Sequence, residues 1–382
     1  MKCLFQKLKN HLKKYSEIKI TFNNMYRIIK SVPKCLFGKG SFNQLTDLLE
    51  EKRQNSSSDY VFLVDDFFRN KPLEKRIPLK GNDRIIWVNV DDEPKTVTVD
   101  KIRDQITSSG KGVVSAVIGI GGGSVMDYAK AVSVMLNNEG SSSLYQGLNL
   151  AKNQAVYHIG IPTLAGTGAE VSMTAVLTGP VKKLGIKGEF TPFDLILLDP
   201  ELIHDAPKNQ RFYTGMDAYI HNVESVEGSN RNCISDAYAV QSQALCREVF
   251  LNDNLTREEA DEKLMVASYF GGLSIGHSEV GVCHALSYGL SYVLGLHHGI
   301  ANCIAFNQLE EIYGEAVKEF HFMVEKHKID LPKNISKGLS DDQLDKMAVT
   351  ALGLDHMWRH AFGPEWPKHV NKDKIIGWYK RM

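Results

Sequence analysis

An α/β domain followed by an all-helical domain is the fold the sequence predicts, on two observations. Up to about Ile203, short β-branched runs alternate with amphipathic stretches of helical period, the pattern of a mostly parallel sheet with helices on both faces. After Pro207 the strand-like runs vanish and helical periodicity takes over.

Four runs carry the sheet: YVFLVDD (60–66), RIIWVNVDD (84–92), VSAVIGIGGG (114–123) and VYHIGIPT (156–163). Each reads as a buried strand ending in a loop. Between the last two, SVMDYAKAVSVML (124–136) repeats its apolar residues at three and four, which predicts a helix. Residues 174–200 hold two strand-like runs around a Gly/Pro/Lys turn and are expected to form a hairpin. Helices are expected over 214–227, 233–251, 257–276, 279–294, 302–327 and 341–361. The change in composition near 200–208 divides the chain into an α/β domain (25–205) and a helical domain (206–382).

The first 24 residues stand apart, with six lysines against Glu17 and with Leu4, Phe5, Leu8 and Leu12 at helical spacing. They read as a basic extension peripheral to a domain that begins near Met25.

The 382 residues suffice for two domains, and 43% hydrophobic with 24% charged residues is an ordinary soluble composition. Basic and acidic residues balance at 45 each, so no global charge draws the chain to nucleic acid or an anionic membrane. No apolar run reaches the length of a membrane span, and no signal-peptide core is present. The six cysteines are scattered without a CxxC pair, as for free thiols in a reducing, cytoplasmic setting.

GIGGGSVMDYAK (119–130) places glycines between a strand and a helix, where the backbone can approach an anion and the first helical turn offers free N–H groups. A pyrophosphate is the expected occupant, although the spacing is not GxGxxG. PTLAGTGAE (162–170) repeats the design: it follows a strand, supplies the Thr163 and Thr167 hydroxyls, and puts Gly166 and Gly168 where the backbone must come close to something. Asp65 and Asp66, ending an earlier strand, are placed to accept hydrogen bonds from a ribose.

GVCHALSYGLSYVLGLHHG (281–299) puts three histidines into an apolar, Gly-rich run. Upstream, Asp217 and His221 lie at i, i+4 on one helical face, with Glu224 a turn further on to orient a histidine. His284 and His298 would be roughly 21 Å apart in one unbroken helix. Gly295 and Gly299 bracket LHH, however, and predict a chain reversal. One carboxylate and three imidazoles suit Fe(II) or Zn(II) with a position open for an alcohol oxygen. His277 and His297 are read as ordinary surface or core residues.

From about residue 25 the chain resembles the iron-containing (group III) metal-dependent alcohol dehydrogenases. The motifs that carry the resemblance are GGGSVMDYAK, PTLAGTGAE, DPELI…TGMDAYIHNVES and GVCHALSYGLSYVLGLHHGIAN, in the family's order. The resemblance implies a Rossmann-like, dehydroquinate-synthase-like first domain, an NAD or NADP cofactor, and a homodimer. It implies Asp217, His221, His284 and His298 as metal ligands. It further implies that Gly121, Gly122, Gly123 and Ser124 with Asp127 cradle the pyrophosphate, that Thr163 and Thr167 line the nicotinamide side, and that Asp66 rather than Asp65 holds the adenosine ribose. Many members carry a proton-relay histidine where this chain has Tyr288, which makes Tyr288 the candidate catalytic group. Another usual cofactor contact, an asparagine, is Lys95 here; Lys95, Lys182, Lys183 and Lys187 are candidates for an extra phosphate. YRIIKSVPKCLFGKGSFNQL (26–45) and residues 281–306 are similar to the subgroup that oxidises C8 of 3-deoxy-D-manno-octulosonate (Kdo) in lipopolysaccharide biosynthesis. That implies a sugar-acid substrate, for whose carboxylate Arg211 and Arg359 are candidates, and an aminotransferase as pathway partner. The alternatives are a generic dehydrogenase of small alcohols, a dehydroquinate-synthase-like lyase, whose metal set is a glutamate and two histidines, and a binding protein with a decayed site.

Overall fold

The computed structural model describes residues 29–53, 59–109 and 113–382. The basic segment 1–24 and the expected domain start at residue 25 lie outside the described residues.

Nine strands form among them: β1 (Lys34–Phe37), β2 (Asp59–Asp65), β3 (Arg84–Val88), β4 (Val114–Gly121), β5 (Gly147–Leu148), β6 (His158–Pro162), β7 (Thr174–Thr178), β8 (Lys183–Lys187) and β9 (Leu195–Leu198). Six of them make one parallel sheet in the order β1-β9-β6-β4-β2-β3. Period-two alternation builds its two faces. Val61 and Leu63 of β2 join one apolar cluster, while Tyr60, Phe62 and Val64 join the other. Burial of each such side chain contributes about 1.5–3 kcal/mol. β7 and β8 form the expected antiparallel hairpin, with the short β5 added parallel to β8. β1 and β9 were not anticipated; they pair with each other at one edge of the large sheet.

Helix α1 (Leu45–Lys52) covers one sheet face. The other receives α2 (Thr96–Thr107) and α3 (Gly123–Met135). The second half is helical: α4 (Lys208–Glu227), α5 (Cys233–Leu251), α6 (Arg257–His277), α7 (Val282–Leu294), α8 (His298–Phe306), α9 (Glu310–Tyr313), α10 (Glu315–Lys326), α11 (Asp341–Leu352), α12 (Asp355–Phe362) and α13 (Lys372–Arg381). α5, α6 and α11 start at capping boxes built on Asn232, Thr256 and Ser340, which satisfy otherwise orphaned N–H groups. The helix expected over 302–327 is three pieces, interrupted after Phe306 and at Gly314, whose φ is +48°. The one expected over 341–361 breaks at Gly353–Leu354.

One apolar cluster runs from β2 and α3 through α4 to α7 and α13, so the two halves share a core. Chain order reverses between β2, which leads to β3 at one edge, and β4, which pairs on the opposite side. In open parallel sheets, ligands sit in the crevice at such a switch point. Asp65 ends β2 there and Gly121 ends β4. Among the described residues no helix is long and apolar enough to cross a membrane.

Candidate metal and nucleotide site

Three helices each bring an i, i+4 pair to one point. α4 supplies Asp217 and His221, α7 supplies His284 and Tyr288, and the start of α8 supplies His298 and Asn302. Gly295, at φ +70°, ends α7 and starts the reversal that makes this convergence possible; Gly299, expected to share the turn, is instead the second residue of α8 and packs against Tyr213. One ligand atom from each of Asp217, His221, His284 and His298 lies within 4.8 Å of the others. Asp217 is the hub: its carboxylate stands 3.6 Å from His221 Nε2, 3.4 Å from His284 Nε2 and 3.5 Å from His298 Nε2.

Burial makes these groups suited to an ion. Asp217 is fully buried and its Oδ2 has no hydrogen-bond partner, an arrangement that costs free energy unless a cation compensates it. Burial opposes ionisation of Asp217, but His221, His298 and His284 outweigh it and hold the carboxyl below its usual range. Burial lowers His221 to about 4 and also lowers His298, so both offer neutral lone pairs at pH 7. His284 goes the other way, to about 9: burial is outweighed by Glu224 and Asp217. Its uptake of a metal would release a proton. Glu224 has the orienting place expected of it. Its Oε2 is 2.5 Å from His284 Nδ1, and its Oε1 accepts from Cys283 N at 2.7 Å and Tyr313 Oη at 2.9 Å.

His221, His284 and His298 line one end of a cleft of about 1140 Å³, with Asp217 fully buried behind them, and Gly122, Gly123, Ser124, Asp127, Thr163 and Thr167 line the same cleft. The cleft is large enough for a dinucleotide with a small substrate. A methyl on Gly122 would meet Leu164 at 3.0 Å and one on Gly123 would meet Thr167 at 3.0 Å, so the bare backbone keeps the mouth of α3 open. Gly121 does not reach the cleft; its missing side chain lets Val125 and Asp65 pack, at 2.5 and 3.1 Å from where a Cβ would stand. Gly166 and Gly168 also do not line the cleft. What their backbone approaches is protein: a Cβ on Gly166 would fall 1.6 Å from the Thr214 carbonyl oxygen on α4, and one on Gly168 2.4 Å from Gly272 on α6.

At the far end, Asp65 turns back to cap its own turn by accepting from Phe67 N at 3.0 Å, while Asp66 keeps a half-buried carboxylate in the cleft beside Asp91. This end is acidic. Three of the four lysines considered for an extra phosphate face carboxylates: Lys95 pairs with Asp92 at 2.7 Å, Lys183 with Glu93 at 2.6 Å, and Lys187 stands 3.9 Å from Glu279. Arg211 and Arg359 do not line the cleft; Arg211 pairs with the buried Asp261 and Arg359 with Asp355. Tyr288 does line it, its ring 6.1 Å from that of His298 and 4.9 Å beneath Lys183 Nζ. Burial, reinforced by Asp127, Glu279 and Glu93, pushes its phenol well above the usual range, so it keeps its proton. His277 stacks on Tyr238, and His297 is the exposed residue preceding α8; both border the cleft.

Three residues of the site were missed. Glu93 reaches across from the α/β half: its Oε1 accepts from His298 N at 2.8 Å while Oε2 holds Lys183. Nothing local marks a contact across 205 residues. Lys130, fully buried, ties α3 to the second loop and the residues after it through Ala169 O at 2.9 Å and Ser172 Oγ at 3.0 Å, and pairs with Asp127 on its own helix at 3.0 Å. A lysine on an apolar helical face was the available sign. Asn302 was signalled by its distance of four residues from His298, the same spacing as Asp217 and His221.

Comparison with known proteins bears on this geometry. The family model for iron-containing alcohol dehydrogenase matches residues 33–200, and the C-terminal model of the Fe-containing alcohol dehydrogenase family matches residues 211–351. Sulfoacetaldehyde reductase of Bilophila wadsworthia (strain 3_1_6) is 30% identical over 338 residues, covering 85% of this chain and 82% of that one. The NAD-dependent methanol dehydrogenase of Bacillus methanolicus is 28% identical over 335 residues, covering 84% of each. The fold is shared with a crystal structure of sulfoacetaldehyde reductase from Bifidobacterium kashiwanohense in complex with NAD+, at a TM-score of 0.74 and 21% identity over 93% of this chain and 98% of that one. The chain belongs to the iron-containing alcohol dehydrogenase family and is an oxidoreductase of the alcohol dehydrogenase type.

Proposed function

We propose that this chain interconverts a primary alcohol and its aldehyde, using a metal ion held by Asp217, His221, His284 and His298 and a nicotinamide cofactor laid along the cleft. The observation that carries this reading is the convergence of one buried carboxylate with three imidazoles that line the cleft the Gly-rich mouth of α3 also borders. Fe(II) or Zn(II) fits that donor set and supplies Lewis acidity that lowers the pKa of an alcohol hydroxyl. A nicotinamide bound in the cleft would supply the hydride acceptor; in the overall reaction the alcohol loses a hydride and a proton and becomes the aldehyde.

This chain's own groups do the rest. The N-terminus of α3, with Gly122, Gly123 and Ser124, receives the pyrophosphate, and Asp127 lies one turn further into the helix. Thr163 and Thr167 would border the nicotinamide, and Asp66 would accept from the adenosine ribose. The acidic surroundings of Asp66, beside Asp65 and Asp91, favour NAD over a cofactor with a 2′-phosphate. Tyr288 stays protonated and hydrogen-bonds a substrate oxygen as the alcohol proton leaves through the cleft. A lyase of the dehydroquinate-synthase kind is disfavoured by the family match and by the Asp-plus-three-His set.

For the substrate we propose the C8 alcohol of Kdo, with the aldehyde passed to an aminotransferase and the enzyme acting as a cytoplasmic homodimer. Two features support this: the similarity of residues 26–45 and 281–306 to the Kdo-oxidising subgroup, and polar side chains (His277, Glu279, His297, His356) bordering the cleft. The test offers metal-loaded protein Kdo and short primary alcohols with NAD or NADP, following reduced cofactor, peroxide and product mass. Kdo should yield a product lighter by two hydrogens, with NAD preferred. Turnover of propanol or butanol with Kdo inert would reduce the reading to a small-alcohol dehydrogenase.

A further inference from the structure

Asn302 lies in α8, fully buried and one turn after His298. Its Nδ2 stands 2.6 Å from Asp217 Oδ1 and 3.1 Å from both His284 Nε2 and His298 Nε2, so the amide touches three of the four proposed metal ligands. The two oxygens of Asp217 are thereby made unequal. Oδ1 accepts the amide hydrogen, whereas Oδ2 is buried with no hydrogen-bond partner. A carboxylate held through one oxygen cannot rotate freely about its Cβ–Cγ bond; Oδ1 stands 3.6 Å from His221 Nε2 and 3.4 Å from His284 Nε2, and the unbonded Oδ2 stands 3.5 Å from His298 Nε2. Asn302 itself is fixed by α8, which packs on α4 where Gly299 meets Tyr213. The backbone carbonyl of Asn302 also accepts from Cys283 Sγ at 3.3 Å, tying it to the residue before His284.

We infer that Asn302 is a positioning residue of the metal centre, one that donates to Asp217 Oδ1 and so reserves Oδ2 for the ion. The inference rests on the metal-site reading above. Groups that orient metal ligands are worth about 10- to 100-fold in metal affinity.

The experiment loads the chelated full chain with Co(II), measuring affinity by competition with a chelator and recording the visible absorption bands. Wild-type protein is measured first. If it binds no Co(II), the metal-site reading fails and this inference with it; if it binds, the variants decide the role of Asn302 alone. Asn302→Leu keeps the branch at Cγ, with a somewhat larger side chain, and removes the donor. It should weaken Co(II) binding by about 10- to 100-fold and alter the absorption bands, whereas Ile304→Val, which loosens the same helix without touching the ligands, should leave both unchanged. Should Asn302→Leu not fold, Asn302→Ala is read in the same way. Wild-type affinity and an unchanged spectrum in the folded variant would overturn the assignment, because a packing role alone would move only the melting temperature.

Discussion

Asp217→Asn is expected to strip the metal from the purified protein and lower kcat/KM about a thousandfold while the chain still unfolds cooperatively. The substitution keeps the shape of the side chain and removes its charge. In the native site that charge stands within 3.4–3.6 Å of all three imidazoles and is buried from water. Without it, the three histidines lose the only anion in the donor set, and among the described residues no other carboxylate joins that set. Glu224 is committed to His284 Nδ1, Cys283 and Tyr313. Elemental analysis, a denaturation curve and turnover measured on one preparation separate loss of metal from loss of fold. Full metal content in this variant would remove Asp217 from the site.

Gly166→Ala should destabilise the protein by about 3 kcal/mol or more, or prevent it from folding, the upper range for overpacking. Two causes act together. Gly166 has φ +153°, a conformation that L side chains rarely adopt, and the new methyl would fall 1.6 Å from the Thr214 carbonyl oxygen. That atom belongs to the backbone of α4, the helix that carries Asp217 and His221, and cannot swing aside as a side chain can. NAD and metal affinities should therefore fall together in whatever fraction folds. Gly295→Ala is the comparison: its φ is +70° but nothing lies within 4 Å, so only the left-handed strain of about 1–2 kcal/mol is expected. Urea unfolding of the two variants measures the difference. Equal stability would mean that the second loop is not wedged against α4.

These glycines show where the sequence was legible and where it was not. Elements whose pattern is local, such as β2, β4, β6, α3, α5 and α6, were read within a residue or two, because one face of each must be apolar. The four converging ligand candidates were readable because i, i+4 spacing and Gly295 act through neighbours in the chain. Gly166 and Gly168 announced a close approach without saying to what, since their partners lie on helices far along the sequence. β1 and β9 are short and find their places by pairing across more than 150 residues, and Glu93 reaches His298 over a similar span. The breaks after Phe306 and at Gly353–Leu354 interrupt apolar patterns that would otherwise have continued.

The proposal stands or falls on whether catalysis needs an ion held, as we propose, by Asp217 and the three histidines. Wild-type protein freed of metal by a chelator and titrated with Fe(II) or Zn(II) in the presence of NAD and an accepted alcohol tests it most directly. Reduced cofactor should form at a rate that rises with added metal and levels off at about one equivalent per chain, as a single four-ligand set requires. Turnover that persists in the metal-free protein and ignores the titration would contradict the account.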